Sequence, residues 1–283
     1  MTTGDVLTTL WSPRFSVVVG CTGLIVEYLV VTRPAPGRVA SYVFGVVLLL
    51  LSLISPLDRL GDAYLFSAHM LQHIILILVV PPLLLLGLPP EPLERLLCWR
   101  PAAVVERVLG KPLVAWSLGL ATLWLWHLPV FYDAVLVHEG LHIFQHLSFL
   151  VTATIFWWPV VAPVPRVRRL GSLGAVFYLL LAGLASSLLG IIITFAPSGL
   201  YPAYLHPVDR LGVLGVVRGE WGLTPAVDQQ VGGILMWMFG DPLILVAILA
   251  VLVRWYGAPD DEDDGVFYRQ DRPSLAATYA GKE

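Results

Sequence analysis

From Ala63 to Leu88 the chain contains no Asp, Glu, Lys or Arg, and its second half, Ile74 to Leu88, is almost entirely Ile, Leu and Val. About 20 apolar residues at 1.5 Å each cross the roughly 30 Å of hydrocarbon in a bilayer. A run of this kind demands a membrane or a very large core. Six more charge-poor candidates follow the same pattern, giving spans near 14–32, 40–56, 63–88, 112–130, 139–162, 171–195 and 227–253. Charged residues make up only 13% of the chain, against roughly 25% in soluble domains, too few to cover a water-facing surface. A transmembrane barrel would show alternating segments of about ten residues. Continuous runs favour helices, which pair their own backbone groups inside lipid. The expected fold is therefore all-α, a polytopic bundle of seven transmembrane helices.

Lys and Arg predict its orientation. The loops after spans 1, 3 and 5, with the tail, hold 13 of them, including Arg38, Arg95, Arg100, Arg107, Lys111, Arg169 and Arg254; the opposite side holds four, Arg14, Arg59, Arg210 and Arg218. This bias places the N-terminus outside and the C-terminus in the cytoplasm, as an odd number of spans requires. No basic segment or small-residue cleavage site precedes the first run, so it is expected to be a retained span. Cys21 falls in the first span and Cys98 in a cytoplasmic loop, which rules out an extracytoplasmic disulfide on this topology.

Residues 1–255 form one expected transmembrane domain with an outer cap loop near 197–226. Residues 256–283, opening on the run Asp260 to Asp264, read as an acidic, disordered cytoplasmic tail. The loop from about 89 to 111 has apolar residues near helical period and three arginines. It suits either a helix on the cytoplasmic membrane surface or a connector packed on the bundle. Pro81 and Pro82 should kink the third span or end its regular part.

All seven histidines fall in the outer half on this topology. His69 lies roughly 9 Å and His73 roughly 15 Å along the third span from its outer end. His127 closes the fourth, His138 stands at the mouth of the fifth, His142 and His146 occupy its first turns, and His206 lies in the cap loop. His69 and His73 in HMLQH, like His142 and His146 in HIFQH, are four apart and share a helix face. Two such faces can oppose each other as metal sites in bundles do. A single HxxxH is weak, and a polar network or a proton pathway is the plain alternative. In hydrocarbon, however, each unpaired ring is costly, which favours a metal or cofactor site. His127 is read as a ligand or a support; Asp133, Asp228 and Gln229 as supporting groups at the outer edge; Met236 as packing or a soft ligand. Copper fits best if a methionine participates, with zinc open and haem sterically possible for one histidine from each span.

Four motifs in this order, AHMLQHIIL, LWLWHLPVFYD, HIFQHLSFL and DQQVGGILMW, resemble the CtaG family of caa-type cytochrome c oxidase assembly factors over about residues 15–255. The resemblance implies a seven-helix protein of the bacterial plasma membrane, needed for biogenesis of a haem-copper oxidase and suspected of handling copper. Its characteristic positions match His69, His73, His127, His142, His146, Asp228, Gln229, Gly232, Gly233, Met236 and Trp237; His138 and His206 stay unassigned. The implied partners are a haem-copper oxidase subunit, a copper-donor protein and the lipid bilayer, with no nucleic acid. Two alternatives from other classes are an intramembrane zinc hydrolase of a lipid or peptide, and a haem-binding redox or haem-delivery protein.

Overall fold

A computed structural model describes residues 1–32, 35–164, 167 and 169–257. Arg33, Arg166 and Arg168 of the charge bias, and the expected acidic tail beyond Gly257, lie outside the described residues. All regular structure among the described residues is helical. The long helices are α2 (Phe15–Thr32), α3 (Pro36–Ile54), α5 and α6 in series (Phe66–Ile74, Val80–Gly87), α11 (Glu139–Val161), α12 (Ser172–Phe195), and α13 and α14 in series (Pro225–Ile234, Gly240–Tyr256). Shorter ones are α1 (Thr3–Thr9), α4 (Pro56–Ala63), α7 (Pro90–Cys98), α8 (Arg100–Leu109), α9 (Pro112–Trp126) and α10 (Pro129–Val137).

Six of these units are long and apolar enough to cross a membrane, and a seventh is reached if α8 and α9, bent by 73°, count as one span. The protein is thus an all-α, multi-spanning membrane protein. The fourth expected span, 112–130, is shorter than its apolar run. Pro129 disfavours helical geometry at the residue before it, Leu128 is extended (φ −66°, ψ 129°), and α9 stops at Trp126 after 15 residues. Large apolar side chains cover the outside: Phe15, Val30, Leu113, Phe195 and Val253 are all exposed. Helices apolar on every face belong in lipid. Helices α7 and α8 bury no residue, and only Leu93 and Leu97 reach a small apolar cluster with Val164 and Val167.

The third span does not end at its prolines. One wide π turn, Ile75–Val79, precedes Pro81 and Pro82, and the helix resumes directly. Pro81 lacks the amide that would bond the carbonyl of Ile77. The indole of Trp157 donates to that carbonyl instead, at 2.9 Å. A second π turn, Leu235–Phe239, lies ahead of Pro242. There Ser187 Oγ sits 2.8 Å from both carboxylate oxygens of Asp241, while Glu27, an acid within the first span, is exposed on α2.

Helices α12 and α13 touch backbone to backbone at Gly190 and Gly233, as small residues permit in lipid. A methyl group at Gly233 would meet Thr194 Oγ1, the Thr194 amide at 2.7 Å and the Gly190 carbonyl at 2.9 Å. Gly233→Ala should therefore lower the unfolding midpoint of the detergent-purified protein, with a cost of about 1–3 kcal/mol. Gly20→Ala, where a methyl meets nothing within 4 Å, is the control; equal midpoints would mean that α12 and α13 can move apart freely.

Candidate metal centre

The centre is built from the start of α5, the start of α11 and the short helix α4. What begins α5 is a carboxylate. Asp228 Oδ2 accepts the amide of Phe66 at 2.7 Å, and its Oδ1 accepts the amide and hydroxyl of Ser67 at 3.0 and 2.5 Å. The first amides of a helix have no partner of their own, and a negative group there also opposes the positive end of the helix dipole. That clamp fixes the helix carrying His69 and His73. On its other side α4 lies close enough that a methyl at Gly61 would sit 3.0 Å from the backbone of His69.

Each histidine pair shares a helix face, as its i,i+4 spacing predicts, and the two faces meet. Ring centroids lie 4.3 Å apart in the pair on α5 and 4.2 Å in the pair on α11. Across the helices His69 is 5.3 Å from His142 and 5.8 Å from His146, and His73 is 5.6 Å from His146. All four are buried. Both ring nitrogens of His73, and Nε2 of His69, His142 and His146, lack a hydrogen-bond partner.

Hydrogen bonding sets the tautomer of His69. The hydroxyl of Tyr204 spends its proton on the Gly61 carbonyl at 2.7 Å and stands 3.3 Å from His69 Nδ1. It can only accept there, so Nδ1 carries the ring proton and Nε2 presents a bare lone pair. A hydrogen bond to one ring nitrogen is the ordinary way in which a protein aims the other at a metal.

The carboxylates of α4 complete the cluster, and the sequence reading missed them. Asp62 Oδ1 stands 3.2 Å from His142 Nε2, without the alignment of a hydrogen bond, so both atoms remain unpartnered. Arg14 balances the charge, 3.4 Å from Asp58 and 3.5 Å from Asp62. Burial pushes the Asp62 carboxyl up to about 6, against the pull of Arg14 and Arg59; burial likewise raises Asp58. Gln72 Nε2 donates to Asp58 at 3.0 Å and to the Ser52 carbonyl at 2.7 Å. The signal was available, because Asp58 and Asp62 show the same four-residue interval as the histidine pairs.

Two trios have ligand atoms within 4.8 Å of one another: His69, His73 and His146; and Asp62, His69 and His142. An equilateral trio with 4.8 Å sides has its centre about 2.8 Å from each atom, against metal–nitrogen bonds of about 2.0–2.1 Å. Small inward rotations of the rings therefore close either trio on an ion. Orphaned lone pairs, imidazole and carboxylate donors and this spacing together fit a metal, and the clusters are able to hold one.

The other expected site residues are placed differently. His127 lies beside His73, with ring centroids 5.8 Å apart, but its nitrogens face Leu123 and Met70. Met236 is buried in the same apolar cluster as Met70 and Phe149. Asp228 is occupied by the α5 amides. Gln229 holds the segment after α12, its Oε1 accepting the Gly199 and Leu200 amides and its Nε2 facing the carbonyls of Ile193, Ala196 and Pro197. Asp133 is half-buried near the backbone of Ala203. His138 and His206 are exposed and outside both trios.

Two substitutions should separate ligand from scaffold. Asp62→Asn should weaken metal binding by about 10–100-fold with little change in unfolding midpoint, as losses around a metal do. Asp228→Asn should cost about 1–3 kcal/mol of stability while the protein that remains folded keeps its full metal stoichiometry. Metal titration and thermal unfolding of both variants check the pair of outcomes.

Comparison with known proteins agrees with the motifs. An uncharacterized protein of Mycobacterium leprae is 24% identical over 298 residues, covering 96% of this chain and 42% of that protein. Uncharacterized proteins of Mycobacterium bovis and Mycobacterium tuberculosis are each 24% identical over 251 residues, covering 83% of this chain and 36% of theirs. The chain thus spans less than half the length of these curated relatives. No solved structure gives a significant match. The family model of the cytochrome c oxidase caa3 assembly factor matches residues 26–258, which take in α5, α11 and the whole histidine cluster, and the chain belongs to this CtaG family.

Proposed function

We propose that this protein binds copper at the cluster of His69, His73, His142, His146 and Asp62 and hands it to a subunit of a haem-copper oxidase during assembly. One observation carries the reading: buried imidazole nitrogens from two helices converge on one another with no hydrogen-bond partner. An unpaired buried polar group costs free energy. An ion bound by these lone pairs offsets that cost, and an ion passed on must leave a site that can briefly tolerate being bare. In this reading α9 crosses as the seventh span, the N-terminus is outside and the C-terminus cytoplasmic. The 13-to-4 distribution of basic residues supports that orientation. The cluster then opens toward the outer face of the bacterial plasma membrane, where a copper-donor protein has access.

Zinc hydrolysis is the second reading, favoured by the carboxylate. Asp62, His69 and His142 make a three-ligand set of the sort that leaves a position for water on zinc. Haem finds less support. Three of the four cross-helix ring pairs lie within 6 Å, and a macrocycle between one facing pair would displace the other.

The test is metal analysis of protein purified without a histidine tag, together with oxidase assembly in cells carrying His69→Ala with His142→Ala. Copper near one equivalent per chain, and an oxidase deficient in copper in the double variant, are expected. Normal oxidase copper in that variant would refute delivery from this cluster. Zinc with one bound water, and turnover of a lipid or peptide, would move the assignment to the hydrolase.

A further inference from the structure

We infer that Met70 and His127 form a second metal site, selective for a soft monovalent cation such as cuprous copper or silver. His127 Nδ1 lies 2.7 Å from the carbonyl of Leu123. A carbonyl only accepts, so Nδ1 carries the hydrogen of the neutral ring and Nε2 is left as a lone pair. That lone pair stands 3.3 Å from the thioether sulfur of Met70, which has no hydrogen to give. Reversing the tautomer would let Nε2 donate to sulfur, but it would set the Nδ1 lone pair against a carbonyl oxygen at 2.7 Å. A doubly protonated ring would satisfy both contacts, yet none of the ion pairs among the described residues involves His127.

Two buried lone-pair donors therefore face each other with nothing between them to share. His127 is 3% and Met70 1% exposed, so bulk water does not reach the pair. Beside it lies a cavity of about 70 Å³ whose lining includes Met70, His73, His127 and Met236. The cavity gives an ion room to sit next to the pair, with a second thioether on its wall. Imidazole with thioether is a donor set for cuprous copper, and thioether sulfur has little affinity for hard cations. The Asp62 trio has the opposite character, with a carboxylate that suits zinc or a divalent ion. His73 has neighbours in both sets, since it belongs to the trio with His69 and His146 and its ring stacks edge-on to that of His127 at 5.8 Å. The soft site stands whichever metal the imidazole–carboxylate cluster takes.

Silver is the probe, because it is soft, monovalent and does not change oxidation state. Wild type and Met70→Leu, both purified without a histidine tag, are titrated with silver against a competing chelator, and separately with zinc. Leucine keeps the volume of the methionine. The expected result is that Met70→Leu weakens one silver equivalent by roughly tenfold or more, since even changes around a ligand cost about 10–100-fold, while zinc binding at the cluster is unchanged. His142→Ala should do the reverse, losing zinc and keeping that silver equivalent. Unaltered silver affinity in Met70→Leu overturns the proposal. A second measurement, whose wild-type arm needs no variant, uses selenomethionine-labelled protein loaded with cuprous copper. X-ray absorption at the copper edge should show a Cu–Se path that Met70→Leu removes. No such path in the wild type, or one that persists in the variant, also overturns the assignment, and neither outcome bears on copper delivery from the first cluster.

Discussion

Inside hydrocarbon no water completes the hydrogen bonds of the backbone, so every break in a helical ladder has to be closed by something the chain itself supplies. Three breaks around the candidate metal centre are closed by side chains. Asp228 takes the opening amides of α5, Trp157 the carbonyl that Pro81 abandons, and Tyr201 the carbonyl of His127 where α9 stops. Gln229 alone ties five backbone groups between Ile193 and Leu200. These bonds join α5, α9, α11, α12 and α13 to one another. They set the angle and depth at which the histidines enter.

Against that background the imidazoles stand out. The same interior that satisfies its backbone at Phe66, Ile77 and Gly199 leaves the nitrogens of His73 and the Nε2 atoms of His69, His142 and His146 with no partner. Loose packing does not explain it, since Tyr132, Phe149 and Tyr204 press around the same rings. Nor does an excess of charge, since Arg14 accompanies Asp58 and Asp62. A cation between the rings would give one nitrogen of each ligating ring a partner.

Much of this was legible from residue spacing. Charge-free runs marked the helices, and the intervals between His69 and His73 and between His142 and His146 marked two faces that do meet. The α4 carboxylates were overlooked because Asp58 and Asp62 lie between the apolar runs and read as an ordinary polar loop. Spacing within one helix says nothing about a third element laid across two others. The scaffold roles of Asp228 and Gln229 were hidden for a related reason. An acid or amide at a membrane edge looks the same whether it faces an ion or the start of a neighbouring helix. The prolines of the third span marked a break in its regular α geometry, but the π turn that carries the helix past them has no sequence signal of its own.

The ligands are not equally free. His69 is held at Nδ1 by Tyr204, and His127 at Nδ1 by Leu123, so both offer Nε2 in a direction fixed before any ion arrives. His73 has no such tether on either nitrogen, His146 has no hydrogen-bond partner at Nε2, and His142 Nε2 faces Asp62 Oδ1 at 3.2 Å without the alignment of a hydrogen bond. A ring without a hydrogen bond turns about its side-chain bonds at lower cost than a tethered one, because no partner is lost in turning. A metal held by one aimed ring and three that can rotate would leave one bond at a time. Complete preorganisation would favour retention. The mixture follows from which histidines the neighbouring tyrosine and carbonyl can reach.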